Sequence, residues 1–193
     1  MKRFLLSLAV ITFALGANAQ SDINFGVKAG LNLSSLKMSA EGISASFDTK
    51  VGFHVGGFAE INVAESFAIQ PELMYSTAGA KLNTGGMKAT TNLSYISVPV
   101  LAKYKVSGFG VYLGPEVGFL ASAKSKSDGE SYDDKDSYKS INFSGVLGAE
   151  YTLESGLGFN ARYVAGLANI AKDAEGDQSL KANNIMIGVH YRF

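Results

Sequence analysis

The stretch Gly110–Ala121, which reads GVYLGPEVGFLA, decides the fold of this chain. Every second residue from Val111 to Phe119 is apolar, and the residues between them are Tyr, Gly or Glu. This period of two belongs to a β-strand, because a helix would repeat its apolar positions every three to four residues. Its 12 residues match a tilted strand that crosses a membrane better than a typical strand of a water-soluble sheet.

The same alternation recurs along the rest of the chain and predicts eight strands of 9–12 residues each. No other pattern of comparable length competes with it, since helical periodicity is hard to find. The predicted strands are Phe25–Leu33, Lys50–Glu60, Phe67–Ser76, Leu93–Tyr104, Gly110–Ala121, Ile141–Tyr151, Leu157–Leu167 and Asn184–Phe193.

The two faces of these strands differ in kind. One face is apolar, and the other combines glycines with charged residues. A water-soluble barrel has no need of glycine on its polar outer face, because glycine weakens strands. A membrane barrel instead surrounds a narrow polar lumen, where small residues make room for a few long charged ones. The pattern therefore predicts an all-β fold, an eight-stranded antiparallel up-and-down transmembrane β-barrel. The polar face also carries His54 and His190.

The predicted connections alternate between short and long, which is typical of outer-membrane barrels with short periplasmic turns and long outer loops. Both chain ends then lie on the periplasmic side, and the C-terminal Phe193 resembles the signal that the barrel-insertion machinery reads. The four long extracellular loops are predicted at Ser34–Thr49, Thr77–Asn92, Ser122–Ser140 and Ala168–Asn183.

The first 19 residues are predicted to be a cleavable signal peptide. Lys2 and Arg3 precede an apolar run that is too short to span a bilayer, and Ala17-Asn18-Ala19 offers small residues for cleavage before Gln20. Residues 20–193 then form a single barrel domain. The chain is expected to be exported and to cross the cell outer membrane several times.

Composition excludes several classes of function. Once Lys2 and Arg3 are removed, 15 basic residues face 17 acidic ones, so no basic stripe for nucleic acid is expected. The chain has no cysteine and two histidines, so neither a disulfide framework nor a metal site is predicted. We expect no cofactor and a monomeric protein.

Several short phrases, taken in order, resemble the PorT-like outer-membrane β-barrel family of Gram-negative bacteria. The resemblance covers essentially all of residues 20–193 and implies an eight-stranded barrel in the outer membrane. The namesake of that family is linked to protein secretion and gliding. The phrases are Gln70-Pro71-Glu72-Leu73 with Tyr75, Tyr95-Ile96 with Val98-Pro99, Gly114-Pro115, Arg162-Tyr163, Gly166-Leu167 and Tyr191-Arg192-Phe193.

The charged residues of the predicted lumen are the main candidates for function. Balanced charges are expected there, because unpaired buried charges are costly. Counting positions along the strands predicts a group at mid-depth and a second group near the periplasmic mouth. The first group is Lys28, Glu72, Glu116 and Arg162, with Tyr112 nearby, and the second is Glu60, Lys103, Glu150 and Arg192. An ion-pair network that plugs the lumen is the main interpretation, and a gated ion path is the alternative.

The predicted function is that of an integral outer-membrane protein of structural or interaction type, with a plugged lumen and no enzyme activity. Its expected surroundings are outer-membrane lipid and lipopolysaccharide. Two alternatives stay open: a narrow transport or secretion-accessory barrel, and surface adhesion through the loops. A lumen free of blocking side chains would favour transport. Ordered loops that continue the strands outward would favour adhesion.

Overall fold

The computed structural model describes residues 23–40, 43–46, 48–84, 87–127, 130–172 and 179–193. The predicted signal peptide lies outside them. Within these ranges, no helix is long and apolar enough to span a membrane. Eight long strands dominate the structure: β1 (Ile23–Ala40), β2 (Asp48–Ala64), β3 (Phe67–Thr84), β4 (Met87–Val106), β5 (Phe109–Ser127), β6 (Ile141–Thr152), β7 (Leu157–Gly166) and β8 (Ser179–Arg192).

The eight strands close into a barrel. Each strand pairs antiparallel with the next one along the chain, and β8 pairs with β1 from Gly26↔Arg192 to Ser39↔Ser179. Along the apolar part of the described strands, closure pairs both edges of the sheet, as a membrane barrel requires. The predicted eight-stranded antiparallel fold is therefore confirmed.

The two ends of the barrel differ in their connections. At one end, tight turns at residues 65–66, 107–108 and 153–156 join neighbouring strands. Ser107 and Gly108 both have positive φ, of 47° and 84°, as a two-residue type I′ hairpin turn requires. We call this the short-turn end and the opposite end the long-loop end.

The outer face is apolar, as the alternation predicts. On β5, exposed apolar residues run from Phe109 through Leu113 to Phe119. Ten residue steps at about 3.3 Å, on a strand tilted by about 40°, give a band of about 25 Å, which matches the apolar belt of outer-membrane barrels. Aromatic pairs rim this band at the short-turn end, with ring centroids 5.0 Å apart for Phe67–Tyr104 and 4.8 Å for Phe109–Tyr151.

The strands are longer than the sequence predicts. β1 to β5 have 17 to 20 residues and continue beyond the apolar band into the predicted loops. Only residues 85–86 separate β3 from β4, where a 16-residue loop was predicted. The reason is that backbone pairing needs no apolar face, so the ladder continues where the side chains turn polar.

The wall at the long-loop end is uneven. β6 and β7 have only 12 and 10 residues, so they stop well below the tips of β1 to β5. Two short strands, Ile43–Ser46 and Glu130–Asp133, pair with the extensions of β1 and β5. The chain after β7 folds back to this gap, where Tyr138 and Ala171 form an isolated bridge. At this end the wall is therefore higher at β1 to β5 than at β6 and β7, and the connections that carry Tyr138 and Ala171 lie above the two shorter strands.

The lumen as candidate functional site

The centre of the lumen is organised around Glu72 on β3. One carboxylate oxygen accepts hydrogen bonds from Lys28 Nζ at 2.6 Å and Gln70 Nε2 at 2.7 Å. The other accepts one from Arg162 at 2.8 Å. The three charged side chains are at most 1% exposed. Glu72 thus joins β1, β3 and β7 across the lumen, with one acid between two bases.

Aromatic rings pack beside these two bases. Lys28 Nζ lies 4.9 Å from the ring centroid of Phe58 and 6.0 Å from that of Tyr112, and the Arg162 guanidinium lies 5.9 Å from Tyr112. Cations attract the negative faces of aromatic rings. The rings therefore offset part of the positive charge that a single Glu72 leaves uncompensated.

A second charged cluster lies near the short-turn end. Lys103 donates to both Glu60 and Glu150. Glu60 also accepts from Lys105 Nζ at 2.7 Å and lies 3.6 Å from Arg192. The structure thus brings together the four residues predicted for this mouth. It adds Lys105, which lies one residue beyond the predicted strand Leu93–Tyr104. Lys105 lies two residues from Lys103, and that shared strand face was the available signal.

Gln70 connects the two clusters. Its amide nitrogen donates to Glu72, and its oxygen accepts from Lys103 at 3.2 Å. Sequence reasoning overlooked this residue, although it lies two positions before Glu72 on the same strand face. The result is one continuous polar network from the short-turn end to the middle of the lumen.

Glu116 stands apart from this network, in contrast to the expectation that it meets Arg162. Among the described residues it has no basic partner within 4.0 Å, and it hydrogen bonds with Ser97 instead. In the strand registers, Gly148 on β6 lies opposite Arg162 on β7 and opposite Tyr112 on β5. The residue of β6 opposite Glu116 is instead Ser144, four positions from Gly148. Because the strands are tilted and staggered, residues the same number of positions from the ends of their strands lie at different heights in the barrel. Glu116 therefore lies nearer the long-loop end.

The two histidines face the lumen but do not share a site. His54 Nδ1 lies 2.7 Å from Asn32 Oδ1, and His190 Nε2 lies 2.9 Å from the Thr152 hydroxyl. His190 is also 3.9 Å from Glu150. Across the described part of the chain, no three His, Cys, Asp or Glu side chains are grouped closely enough to hold a metal ion.

An apolar cap covers the lumen at the long-loop end, which sequence reasoning missed. Ile170, in the connection after β7, is fully buried. Its backbone is held by two hydrogen bonds, from its own N–H to Leu180 and from Lys139 to its carbonyl oxygen. Tyr138 packs against the cap, and burial raises the pKa of its phenol. The cap consists of Leu36, Ala78, Ala80, Leu93, Tyr95, Leu120, Ala123, Ile170 and Ala182.

Between network and cap, little space is left. A chamber of about 20 Å³ is lined by Glu116, Ser97, Asn142 and Asn184, among others. This volume suffices for about one water molecule. A wider recess of about 220 Å³ opens at the short-turn end beside Lys103 and Arg192. Side chains therefore fill the barrel along most of its length.

Two lumen glycines provide a test of this packing. A Cβ at Gly148 would lie 2.5 Å from the Tyr112 ring and 2.7 Å from Arg162 Cβ, whereas one at Gly118 would lie 3.4 Å from its nearest neighbours. We expect Gly148→Ala to lower the free energy of unfolding by about 1–3 kcal/mol. Gly118→Ala should change it by less than about 1 kcal/mol. Urea titrations of both variants in lipid vesicles measure the difference, and equal stabilities would contradict the described packing.

The family comparison decides where this barrel belongs. Residues 18–172 match the family model described as outer membrane protein beta-barrel domain. The chain belongs to this family. It is an integral outer-membrane β-barrel, and the family assignment is consistent with the closed sheet and the apolar outer face. No curated protein matches the chain significantly.

Solved structures with the same architecture include three outer-membrane proteins. Neisserial surface protein A matches with a TM-score of 0.58 at 17% identity, covering 88% of this chain and 97% of that one. Ail, the attachment invasion locus protein of Yersinia pestis, was solved with the heparin analogue sucrose octasulfate; it gives 0.51 at 16%, covering 89% and 99%. A major outer membrane protein of Thermus thermophilus gives 0.50 at 17%, covering 89% and 99%. These similarities show the shared fold.

Proposed function

We propose that this protein is a non-conducting outer-membrane barrel that acts through its surface, as a structural or interaction protein without enzyme activity. The observation that carries the proposal is the double obstruction of the lumen. The ion-pair network around Glu72 fills the middle, and the cap around Ile170 covers the long-loop end. An eight-stranded barrel is just wide enough for its own side chains. Transport through the lumen would require both obstructions to move.

The long-loop end is proposed to face the outside of the cell. This orientation follows the outer-membrane pattern of short periplasmic turns and longer outer connections. It places the recess beside Lys103 and Arg192 on the periplasmic side. It also places Phe193 there, where we propose that the barrel-insertion machinery reads it. The resemblance to PorT-like barrels suggests a subgroup of the family, and we carry no secretion activity over from it.

Adhesion is the second candidate, and the strand extensions favour it. β3 and β4 pair continuously to Thr84↔Met87, well beyond the apolar band. A paired extension presents a defined surface, at a lower ordering cost than a free loop of the same length. Ail, which shares this fold, is named for attachment and was solved with a heparin analogue. An adhesive role for this chain is therefore proposed as a specific form of surface interaction.

Conductance in planar bilayers tests the main proposal. We expect the purified barrel to show no steady single-channel current, because a buried charge network and an apolar cap block the path. Lys139→Ala, outside the lumen, serves as the control and should be equally silent. Stable channels whose current changes with Glu116→Gln or Arg162→Gln would contradict the proposal and favour transport.

A further inference from the structure

The chamber beneath the apolar cap contains a carboxylate without a basic partner. Glu116 on β5 lines this chamber and hydrogen bonds with Ser97 on β4. Ser144 on β6 lies opposite Glu116 in the strand register and lines the same chamber. No ion pair among the described residues includes Glu116. A charge removed from water needs compensation, so a positive charge is expected at this carboxylate, either a proton or a cation.

Three further oxygens at the chamber have no hydrogen-bond partner among the described residues. They are the Oδ1 atoms of Asn142 and Asn184 and the hydroxyl of Tyr95. The Asn142 amide is oriented by its other end, because its Nδ2 donates to Ser144 Oγ at 3.4 Å. Asn142 is 8% exposed and Tyr95 is 5% exposed, so water outside the barrel does not reach them. Buried acceptors normally have a partner, so these atoms indicate a bound donor or cation.

The set of oxygens favours a cation over a proton or a water molecule. A proton on Glu116 gives one O–H donor, which can serve only one of the amide oxygens of Asn142 and Asn184. A water molecule donates two hydrogen bonds, while this carboxylate and these two amide oxygens are three accepting groups. A cation can contact all of them at once, and carboxylate, amide and hydroxyl oxygens are the ligands that hard cations prefer.

The carboxylate and the volume together set the charge and size of this cation. A chamber of about 20 Å³ holds one water-sized particle, so the ion binds there without a hydration shell. Mg²⁺ dehydrates reluctantly, which disfavours it here. At longer range Arg162 repels a cation at Glu116 and Glu72 attracts one, and the effect of Arg162 is the larger. This repulsion disfavours a doubly charged ion more than a singly charged one, and a small alkali ion matches the single carboxylate.

We propose that Glu116, Ser97, Asn142 and Asn184 bind a sodium ion beneath the apolar cap. Most of these ligands are neutral oxygens, so the site needs no group of three acids or histidines. The four residues lie on β5, β4, β6 and β8, and the ion therefore joins four strands where the ion-pair network around Glu72 does not reach. Tyr95 belongs both to the chamber and to the cap, so the cap lies directly over the ion. This site stabilises the barrel and is independent of its orientation and surface function.

Unfolding by urea in vesicles of zwitterionic lipid tests the proposal on the whole barrel. Sodium chloride is compared with choline chloride at equal ionic strength, because choline is too large for the chamber. We expect about 0.3 M sodium chloride to lower the equilibrium constant for unfolding about tenfold relative to choline chloride, as for a site with a dissociation constant of about 30 mM. Equal stability in the two salts overturns the sodium site and leaves a chamber that holds water.

Variants at the site separate bound sodium from general salt effects and from a proton. Glu116→Gln keeps the shape of the side chain and should abolish the sodium dependence, whereas Glu65→Gln, in the exposed turn between β2 and β3, should keep it. A sodium dependence that survives in Glu116→Gln overturns the site in favour of screening. A stability that depends on pH but not on sodium, and that Glu116→Gln removes, overturns it in favour of a protonated carboxyl group.

A gain-of-function variant tests the ligand set even where Glu116→Gln does not fold. Asn142→Asp adds a second carboxylate at the chamber and should make the stability of the barrel respond to millimolar calcium chloride, since calcium favours sites with more carboxylates. The unchanged protein is the control and should respond less. Equal responses of the two proteins to calcium overturn the assignment of Asn142 as a ligand.

Discussion

Glu72→Gln is expected to lower the free energy of unfolding of the barrel by about 3–5 kcal/mol. The carboxylate of Glu72 is the shared partner of Lys28 and Arg162, and all three side chains are buried. Glutamine keeps nearly the same shape and removes the charge, so both bases lose their compensating charge in a site that water scarcely reaches. The large effect comes from the two buried positive charges left uncompensated, more than from the net strength of the ion pairs.

Reversible urea unfolding in lipid vesicles measures this effect. Glu65→Gln is the matched control, because Glu65 undergoes the same chemical change while exposed in the turn between β2 and β3. We expect the control to stay within about 0.5 kcal/mol of the unchanged protein. Arg162→Ala should destabilise the barrel more than Lys139→Ala for the same reason. A Glu72→Gln variant as stable as the control would show that the network contributes no stability.

Leu113→Arg is the second substitution with a large expected effect. Leu113 is 62% exposed and lies near the centre of the apolar band on β5, between Phe109 and Phe119. A charged side chain at the bilayer midplane costs about 2–4 kcal/mol, and the cost falls to about 0–1 kcal/mol at the interface. The same vesicle unfolding experiment should therefore report a loss of about 2–4 kcal/mol.

The control for this prediction is Leu153→Arg, in the tight turn between β6 and β7. Leu153 is also exposed, at 40%, but it lies at the short-turn end, where a long arginine side chain reaches water. We expect a loss of no more than about 1 kcal/mol. If both substitutions cost the same small amount, Leu113 does not face hydrocarbon, and the assignment of the lipid face is wrong.

The alternation of residue types was sufficient to predict the fold from the sequence alone. A strand turns successive side chains to opposite faces, so the pattern at Gly110–Ala121 already separated Leu113 from Glu116 before any pairing was known. The sequence predicts eight such stretches and no apolar helix. Closing the strands into a barrel is then the way to hydrogen-bond all their backbone groups within lipid. These are local properties of each strand, which explains why strand number, the two faces and barrel closure were predictable.

Strand ends were not predictable, because the apolar pattern stops where the lipid stops. The extension of β3 to Thr84 depends on hydrogen bonds to the neighbouring strands, which do not require apolar side chains. The burial of Ile170 likewise depends on the gap above the short strands β6 and β7. Ile170 lies between Asn169 and Ala171 in an irregular connection, which shows no period from which such packing can be inferred.

The charged lumen shows most clearly what only the tertiary structure decided. The sequence by itself determined that Glu72, Glu116 and Arg162 face the lumen, because that follows from strand parity. Which of them meet depends on the tilt and stagger of strands far apart in the chain. The stagger brings Glu72 to Arg162 across 90 residues and leaves Glu116 beside Ser97. Facing direction is a local property of one strand, whereas pairing across a lumen is a property of the closed barrel.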